Sequence, residues 1–106
     1  MTAGWTYLLM AGVAEIGFAS LLKLTEGFSR PWPTAAFFVC AALSFWLLTK
    51  AVETLPVGMA YAVWVGIGAA GAVVIGIAFF NDPVTFWRLF FTVLLIASIV
   101  GLKVVS

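Results

Sequence analysis

Charged side chains are scarce in this sequence of 106 residues. Five basic and four acidic residues make up 8% of the chain, whereas residues of the hydrophobic set make up 65%. A soluble domain carries about 25% charged residues, because it needs them to cover its surface. Intrinsic disorder is excluded as well, since disordered chains combine low hydrophobicity with high charge. The composition therefore predicts an integral membrane protein.

Histidine is absent, and Cys40 is the single cysteine. This excludes the usual zinc sites and a disulfide framework. A formal net charge of +1 gives no reason to expect a nucleic-acid partner. We expect no metal and no cofactor, and the simplest role for Cys40 is that of a small packing residue.

The charged residues separate four long apolar blocks, at 4–22, 34–49, 56–80 and 89–102. Each block is close to the roughly 17–25 residues that a helix needs to cross a bilayer. With flanking residues added to the shorter blocks, the predicted helices are 4–22, 33–50, 57–80 and 87–105. The alternation typical of membrane β-strands is missing. The sequence predicts one all-α integral membrane domain over residues 1–106, with the first block retained as a helix and not cleaved as a signal peptide.

Basic residues are nearly balanced between the two sides of the membrane. With four helices, Lys50 and Lys103 lie on one side, and Lys23, Arg30 and Arg88 lie on the other. Because the asymmetry of Lys and Arg sets membrane orientation, a chain this balanced is expected to insert both ways round. The alternative is a weakly biased chain with one fixed orientation. Dual insertion would allow an antiparallel homodimer, and a single chain is too thin to enclose a site.

Glu15 differs from the other charged residues, because it lies near the middle of its apolar block. An acidic residue at mid-bilayer depth costs roughly 2.5–3.5 kcal/mol on insertion scales, so it is expected to have a function. The alternative is a protonated carboxyl group that bonds a neighbouring helix. Phe18 lies three residues after Glu15 and therefore shares its helix face.

Aromatic and hydroxyl side chains in the other blocks complete a candidate cation site. Tyr61 and Trp64 are three residues apart on one face of the third block, and Ser44 is a mid-helix hydroxyl in the second. Aromatic faces attract organic cations by about 0.5–2 kcal/mol each. A buried acid among such rings predicts a site for a desolvated organic cation, although lipid contact or helix packing would also explain the rings.

Small residues predict close helix contacts. Gly66 and Gly68 in the third block indicate either a close approach or a bending point, and the two uses are compatible. Ala97 and Gly101, spaced four apart in the fourth block, are a candidate dimer contact.

One carboxylate shared by proton and cation is enough to couple their flows, because occupation by one excludes the other. In an antiparallel dimer, exchanging the two chain conformations would turn an inward-open state into an outward-open one. A non-transporting membrane subunit and a passive cation pore are the alternatives from other functional classes. An enzyme is not expected, since no acid–base pair lies at a shared depth.

Four motifs resemble those of the small multidrug resistance family of proton-coupled exporters, over the full length of the chain. They are Ala14-Glu15, Glu26-Gly27-Phe28-Ser29-Arg30 with Trp32-Pro33, Ser44-Phe45-Trp46-Leu47-Leu48, and the segment Leu55-Pro56-Val57-Gly58-Met59-Ala60-Tyr61-Ala62-Val63-Trp64. The resemblance implies an antiparallel dimer in the inner (plasma) membrane, in which Glu15 binds proton or substrate. It further implies that Tyr61 and Trp64 line the site, with Ser44 nearby. By the same resemblance, Gly66 and Gly68 mark a kink, and the fourth helices dimerise.

The residues do not match one branch of the family alone. Segment 66–72 and the closing Gly101-Leu102-Lys103 resemble the guanidinium-exporting branch, whose members usually carry Trp where this chain has Phe18. The first connection and Ser44-Phe45-Trp46 resemble the branch that exports quaternary ammonium compounds. We expect a broad exporter of organic cations. The alternatives are a selective guanidinium exporter or one subunit of a heterodimer with a paralogous chain.

Overall fold

The computed structural model describes residues 3–105, and the described part of the chain is all-helical. Its helices are α1 (Ala3–Leu24), α2 (Pro31–Ala51), α3 (Val57–Phe79) and α4 (Phe86–Val104). All four are long and apolar enough to cross a membrane. The predicted all-α class, with four helices able to span a membrane, is confirmed. Residues 1, 2 and 106 of the predicted domain lie outside the described range.

Residues outside the apolar blocks determine where two of the helices begin. Helix α2 begins at Pro31, two residues before the predicted start, because proline is favoured in the first turn of a helix. Helix α4 begins at Phe86, where the Thr85 hydroxyl accepts a hydrogen bond from the Arg88 N–H at 3.2 Å. The C-terminal end of α1 reaches Leu24, beyond the predicted residue 22.

The helices alternate in direction, and α1 lies between α2 and α3. Within the described residues, the backbone of α4 runs close to that of α3 only, although its side chains also reach α1. Lys23 Nζ lies 5.0 Å from the centre of the Phe80 ring at one end of the bundle, and Lys103 Nζ lies 5.1 Å from the Trp5 ring at the other. The chain measures 40 × 34 × 19 Å. Its thin dimension is about two helix diameters, so one chain leaves one face of any central site open.

The buried residues of α1 lie towards one end of the bundle. The buried residues of α1 are Gly4, Trp5, Leu8, Ala11 and Gly12, all of which precede Glu15. They join a core at the end that contains the α2–α3 connection. The core residues are Trp5, Leu8, Ala11, Leu47, Ala51, Ala60, Val63 and Trp64. Glu15 therefore lies at the point along α1 where these buried residues end.

The connection between α1 and α2 is an ordered turn built on Thr25. Its buried side chain donates a hydrogen bond to the Leu22 carbonyl at 2.7 Å and accepts one from the Phe28 N–H at 3.3 Å. Glu26, Gly27 and Phe28 have φ values of 48°, 72° and 66°. For a residue with a side chain, this conformation costs of order 1–3 kcal/mol and persists only where its surroundings fix it. The hydrogen bonds to Thr25 fix it here.

Candidate functional site

The carboxyl group of Glu15 is pressed against the backbone of α3. A Cβ atom placed on Gly68 would overlap Cδ and Oε2 of Glu15, so only glycine leaves room for this contact. Within residues 3–105, the buried Oε2 atom of Glu15 has no hydrogen-bond partner. Buried polar atoms are nearly always hydrogen-bonded, and an exception calls for an explanation such as a missing ligand or ion.

A chain of two hydrogen bonds joins three helices beside this acid. Trp64 Nε1 donates to Ser44 Oγ at 2.9 Å, and Ser44 Oγ donates to the Ala11 carbonyl at 2.7 Å. Ser44 and Trp64 are both buried. Ala11 lies one turn before Glu15 in α1, and Gly68 lies one turn after Trp64 in α3. The hydrogen bonds and the carboxyl contact therefore hold α1 and α3 together at adjacent levels.

The Trp64 ring contacts two other aromatic rings, one in α3 and one in α2. The Tyr61 ring lies 5.6 Å from the Trp64 ring, between centroids, and the Phe45 ring lies 5.2 Å from it. Phe45 also lies 6.3 Å from the Phe18 ring, with the planes nearly parallel. The structure thus brings Phe18, Trp64 and Tyr61 into one series of rings, together with the hydroxyl of Ser44.

Phe45 is the residue that sequence reasoning missed. It belongs to a quoted motif, but it received no role, because its position between the rings of α1 and α3 depends on how the three helices pack. A signal was present in the spacing of Phe37, Ala41 and Phe45, which are four residues apart and share a face of α2.

The site is open on the face that the single chain leaves uncovered. The exposed fractions are 57% for Tyr61 and 51% for Phe45, whereas Trp64 lies buried beneath their rings. Basic side chains of the described residues are placed elsewhere. Lys50, for example, lies over the Trp46 ring and pairs with Glu53 at 3.7 Å. The open face therefore presents aromatic rings. The carboxyl group of Glu15 lies against Gly68 and has no cationic partner in the described part of the chain.

Gly66 and Gly68 of α3 each lie at a close contact with a different helix. Gly68 faces Glu15, and Gly66 faces Ile99 of α4, whose Cδ1 an added Cβ would meet at 2.8 Å. Both are close approaches, and α3 is helical without interruption from Val57 to Phe79. The kink at Gly66 and Gly68 remains a prediction.

Within the described chain, no side chain packs against the candidate dimer contact on α4. Helix α4 has no buried residue, and an added Cβ at Gly101 would meet no atom within 4 Å. Ala97 is likewise exposed. The residues that face α3 are Leu95 and Ile99, on the other side of the helix. The Ala97 and Gly101 face is therefore free for a neighbour, and its use in a dimer remains a prediction.

The metal-binding side chains of residues 3–105 form no group of three or more that could hold an ion. The side chains near Glu15 along α1 and α2 include the Phe18 ring and the Ser44 hydroxyl, a set that suits an organic cation better than a hard metal ion.

Comparison with known proteins places the chain among membrane transporters. The sequence profile of the family described as Small Multidrug Resistance protein matches residues 3–95. A guanidinium exporter of Salmonella typhimurium is 44% identical over 99 residues, which cover 93% of this chain and 94% of that protein. A guanidinium exporter of Yersinia pseudotuberculosis is 41% identical over 102 residues, covering 96% and 98%. One from Citrobacter freundii is 43% identical over 99 residues, covering 93% and 94%.

Proposed function

The chain belongs to the small multidrug resistance family, as its motifs predicted, and we propose that it exports small organic cations in exchange for protons. The family and the names of its relatives indicate a transporter and not an enzyme. Four helices able to span a bilayer make it a multi-pass membrane protein. Its proposed location is the inner (plasma) membrane.

The observation that carries this proposal is the buried Oε2 atom of Glu15, which has no partner among residues 3–105. A proton satisfies a carboxylate by forming a neutral carboxyl group, and an organic cation satisfies it by pairing with the charge. Both occupants use the same oxygens, so the two states exclude each other. This mutual exclusion couples the flow of protons to the flow of cations without a second binding site.

Two substrate classes have support, each from a different observation. The relatives at 41–44% identity are named guanidinium exporters, which favours guanidinium. Phe18 and Phe45 instead give the site a hydrocarbon wall without hydrogen-bond donors or acceptors, which favours bulkier apolar cations such as quaternary ammonium ions. Our proposal is a broad exporter that takes both classes, with selective guanidinium export as the alternative.

An antiparallel homodimer is the proposed assembly. The single chain exposes the Tyr61 and Phe45 rings, so a second chain is needed to close the site. Along α1, Glu15 lies where the buried residues end, which supports a site that can open towards one side of the membrane. If two oppositely inserted chains adopt the two forms and exchange them, the site opens to each side in turn. A heterodimer with a paralogous chain is the alternative.

The test is coupled transport by purified protein in liposomes that contain a pH-sensitive dye. With guanidinium or a quaternary ammonium ion imposed as a gradient, we expect proton movement in proportion to the cation moved. The variant Glu15→Gln is expected to abolish both flows. Glu26→Gln, which changes an exposed acid in the first connection, is the control and is expected to transport normally.

Each rival function gives a different result in this assay. A passive pore would dissipate the cation gradient without a proportional proton flow, and a non-transporting subunit would move neither ion. If the Glu15→Gln variant still drives a cation against its gradient, the proposed exchange at this carboxylate is wrong.

A further inference from the structure

We propose that Phe28, Phe37 and Phe38 form an outer platform on which lipophilic organic cations rest in transit between the membrane surface and Glu15. This inference rests on the proposed function and adds a second position for the same substrates. The three rings contact one another, with centroid distances of 5.5 Å for Phe28–Phe37, 5.8 Å for Phe28–Phe38 and 5.3 Å for Phe37–Phe38.

The platform is continuous with the inner site through further ring contacts. Phe37 meets Phe18 edge to face at 5.6 Å, and Phe18 stacks on Phe45 at 6.3 Å. Phe45 in turn contacts Trp64 at 5.2 Å. On α2 the rings of Phe37 and Phe45 are eight residues apart, which is about 12 Å along the helix axis. A cation can therefore move from ring to ring without crossing a purely aliphatic gap.

No basic side chain of the described residues occupies these rings. Lys23, Lys50 and Lys103 lie over the rings of Phe80, Trp46 and Trp5, respectively. Aromatic faces attract cations through the ring quadrupole. The rings of Phe86, Trp87, Phe90 and Phe91 at the start of α4 also have no lysine over them, but among the described residues their ring contacts lead only to one another. The platform differs from them because its ring contacts continue to Phe18 and the inner site.

The platform has a fixed place in the fold. The Phe28 backbone adopts a φ of 66°, and its N–H is bonded to the Thr25 hydroxyl, so the ring is directed onto α2. The platform lies on the side of Glu15 away from the buried residues of α1, between that acid and the first connection.

The chemistry of the rings selects one class of cation. Phenylalanine offers no hydrogen-bond acceptor, so a guanidinium ion would lose the partners of its N–H groups on this path. A quaternary ammonium or tetraaryl phosphonium ion has no N–H group to satisfy, and its apolar substituents gain contact with the rings. The platform is therefore proposed for lipophilic cations.

The experiment measures binding kinetics of a tetraaryl phosphonium ion to the full-length protein in lipid nanodiscs. Phe38→Leu keeps an apolar side chain of similar bulk but removes one ring face. Since the platform lies on the path and not at its end, we expect association and dissociation rates to fall together by about 2–5-fold. The equilibrium Kd should stay within about twofold, and Phe38→Tyr should restore both rates.

A matched control is available on α4. The exposed fraction of Phe91 is 58%, against 57% for Phe38, and its ring stacks on Trp87 at 6.1 Å. Phe91→Leu should leave both rates unchanged, because that ring has no link to the site. If Phe38→Leu leaves both rates unchanged, the platform is wrong but the proposed function is unaffected. The same conclusion follows if Phe38→Leu raises the Kd without changing the association rate. If the unmutated protein binds no organic cation, the proposed function fails and the platform fails with it.

Discussion

Ser44 carries two hydrogen bonds that join three helices, and its removal is expected to destabilise the chain. In Ser44→Ala, the buried Trp64 N–H loses its acceptor, and the Ala11 carbonyl loses a donor. Leaving a buried polar group unsatisfied costs about 1–3 kcal/mol. The measurement is the free energy of unfolding in detergent, which we expect to fall by roughly that amount.

Ser98→Ala is the control for this change. Ser98 Oγ donates to the Leu94 carbonyl at 3.0 Å, but this bond is exposed and lies within one helix. Its loss should change the free energy of unfolding by less than about 0.5 kcal/mol. Equal effects of the two substitutions would mean that the bonds of Ser44 do not join the helices in the membrane-embedded protein.

Gly68 is the residue that admits the carboxyl group of Glu15, and Gly68→Ala is expected to displace that group. The new Cβ would overlap Cδ and Oε2, and one of the two side chains would have to move. We expect cation binding to weaken by roughly tenfold or more, which is about 1.4 kcal/mol. The measurement is equilibrium binding of a radiolabelled organic cation.

Gly58→Ala serves as the comparison, since an added Cβ at Gly58 would meet no atom of residues 3–105 within 4 Å. This helix-end glycine should accept alanine with unchanged binding, and with a small gain in stability from reduced backbone freedom. If Gly68→Ala binds cations as well as Gly58→Ala does, the contact between Gly68 and Glu15 has no part in substrate binding.

Single residues of the site were predictable where one helix determines their environment. Glu15 stands out because an acid at the centre of an apolar block is costly in any arrangement of the other helices. The partners of Ser44 and the position of Phe45 were not predictable, because both depend on contacts between helices distant in sequence. Ser44 was expected near the site, but its donation to the Ala11 backbone has no signature in the sequence.

Helices, in contrast, were largely predictable, because each must present an apolar surface long enough to span the bilayer. The ends of the helices were less predictable. The start of α2 at Pro31 and the capping of α4 by Thr85 arise from local backbone chemistry outside the apolar blocks. The order of packing, with α1 between α2 and α3, was not predictable, since the apolar residues of these three helices are spread round the helix and mark no single packing face.

Helix α3 contains a glycine whose substitution tests whether bending accompanies transport. Gly66 packs against the flexible end of Ile99, so Gly66→Ala can be accommodated by a change of the Ile99 rotamer. Alanine restricts the helix backbone relative to glycine, by about 0.5–1 kcal/mol. If α3 bends during the transport cycle, turnover in liposomes should fall several-fold, whereas the Kd for the cation should be retained.

Gly58→Ala again provides the comparison, because it makes the same chemical change in α3 away from any contact. A loss of affinity in Gly66→Ala would indicate a packing defect at Ile99. Unchanged turnover would contradict a bend at this position, and the kink inferred from the family resemblance would have to lie elsewhere.

Helix α4 bears on the whole molecule, because its exposed face is the proposed dimer contact. An added side chain at Gly101 meets nothing in the described chain, so Gly101→Leu should leave the fold of the single chain intact. Between two chains it would separate helices that approach closely through small residues. We expect the dimer to weaken by roughly tenfold or more, as measured by cross-linking across a dilution series in detergent.

Gly58→Leu is the control for oligomeric state, since the described residues also leave open space around Gly58. That variant should remain as dimeric as the unmutated protein. If Gly101→Leu remains equally dimeric and transports cations, the α4 face around Gly101 contacts lipid and the dimer forms through another surface.

The orientation of the whole chain depends on a small difference in basic residues. The structure places Lys23 and Phe80 at one end and Lys103 and Trp5 at the other, which agrees with the two sets of charges inferred from the sequence. Added lysines at exposed positions should therefore fix the orientation. Val57→Lys with Val105→Lys strengthens one side, and Ser29→Lys with Val84→Lys strengthens the other.

Each double variant expressed alone should insert in one orientation and lose most of its transport, because antiparallel pairs cannot form. Co-expression of the two should restore transport, since oppositely inserted chains are again present. Orientation is measured with a reporter fused to the C-terminus, and transport by export of a quaternary ammonium ion from intact cells. Full transport by either variant alone, in a single measured orientation, would exclude the antiparallel dimer, because every chain would then face the same way.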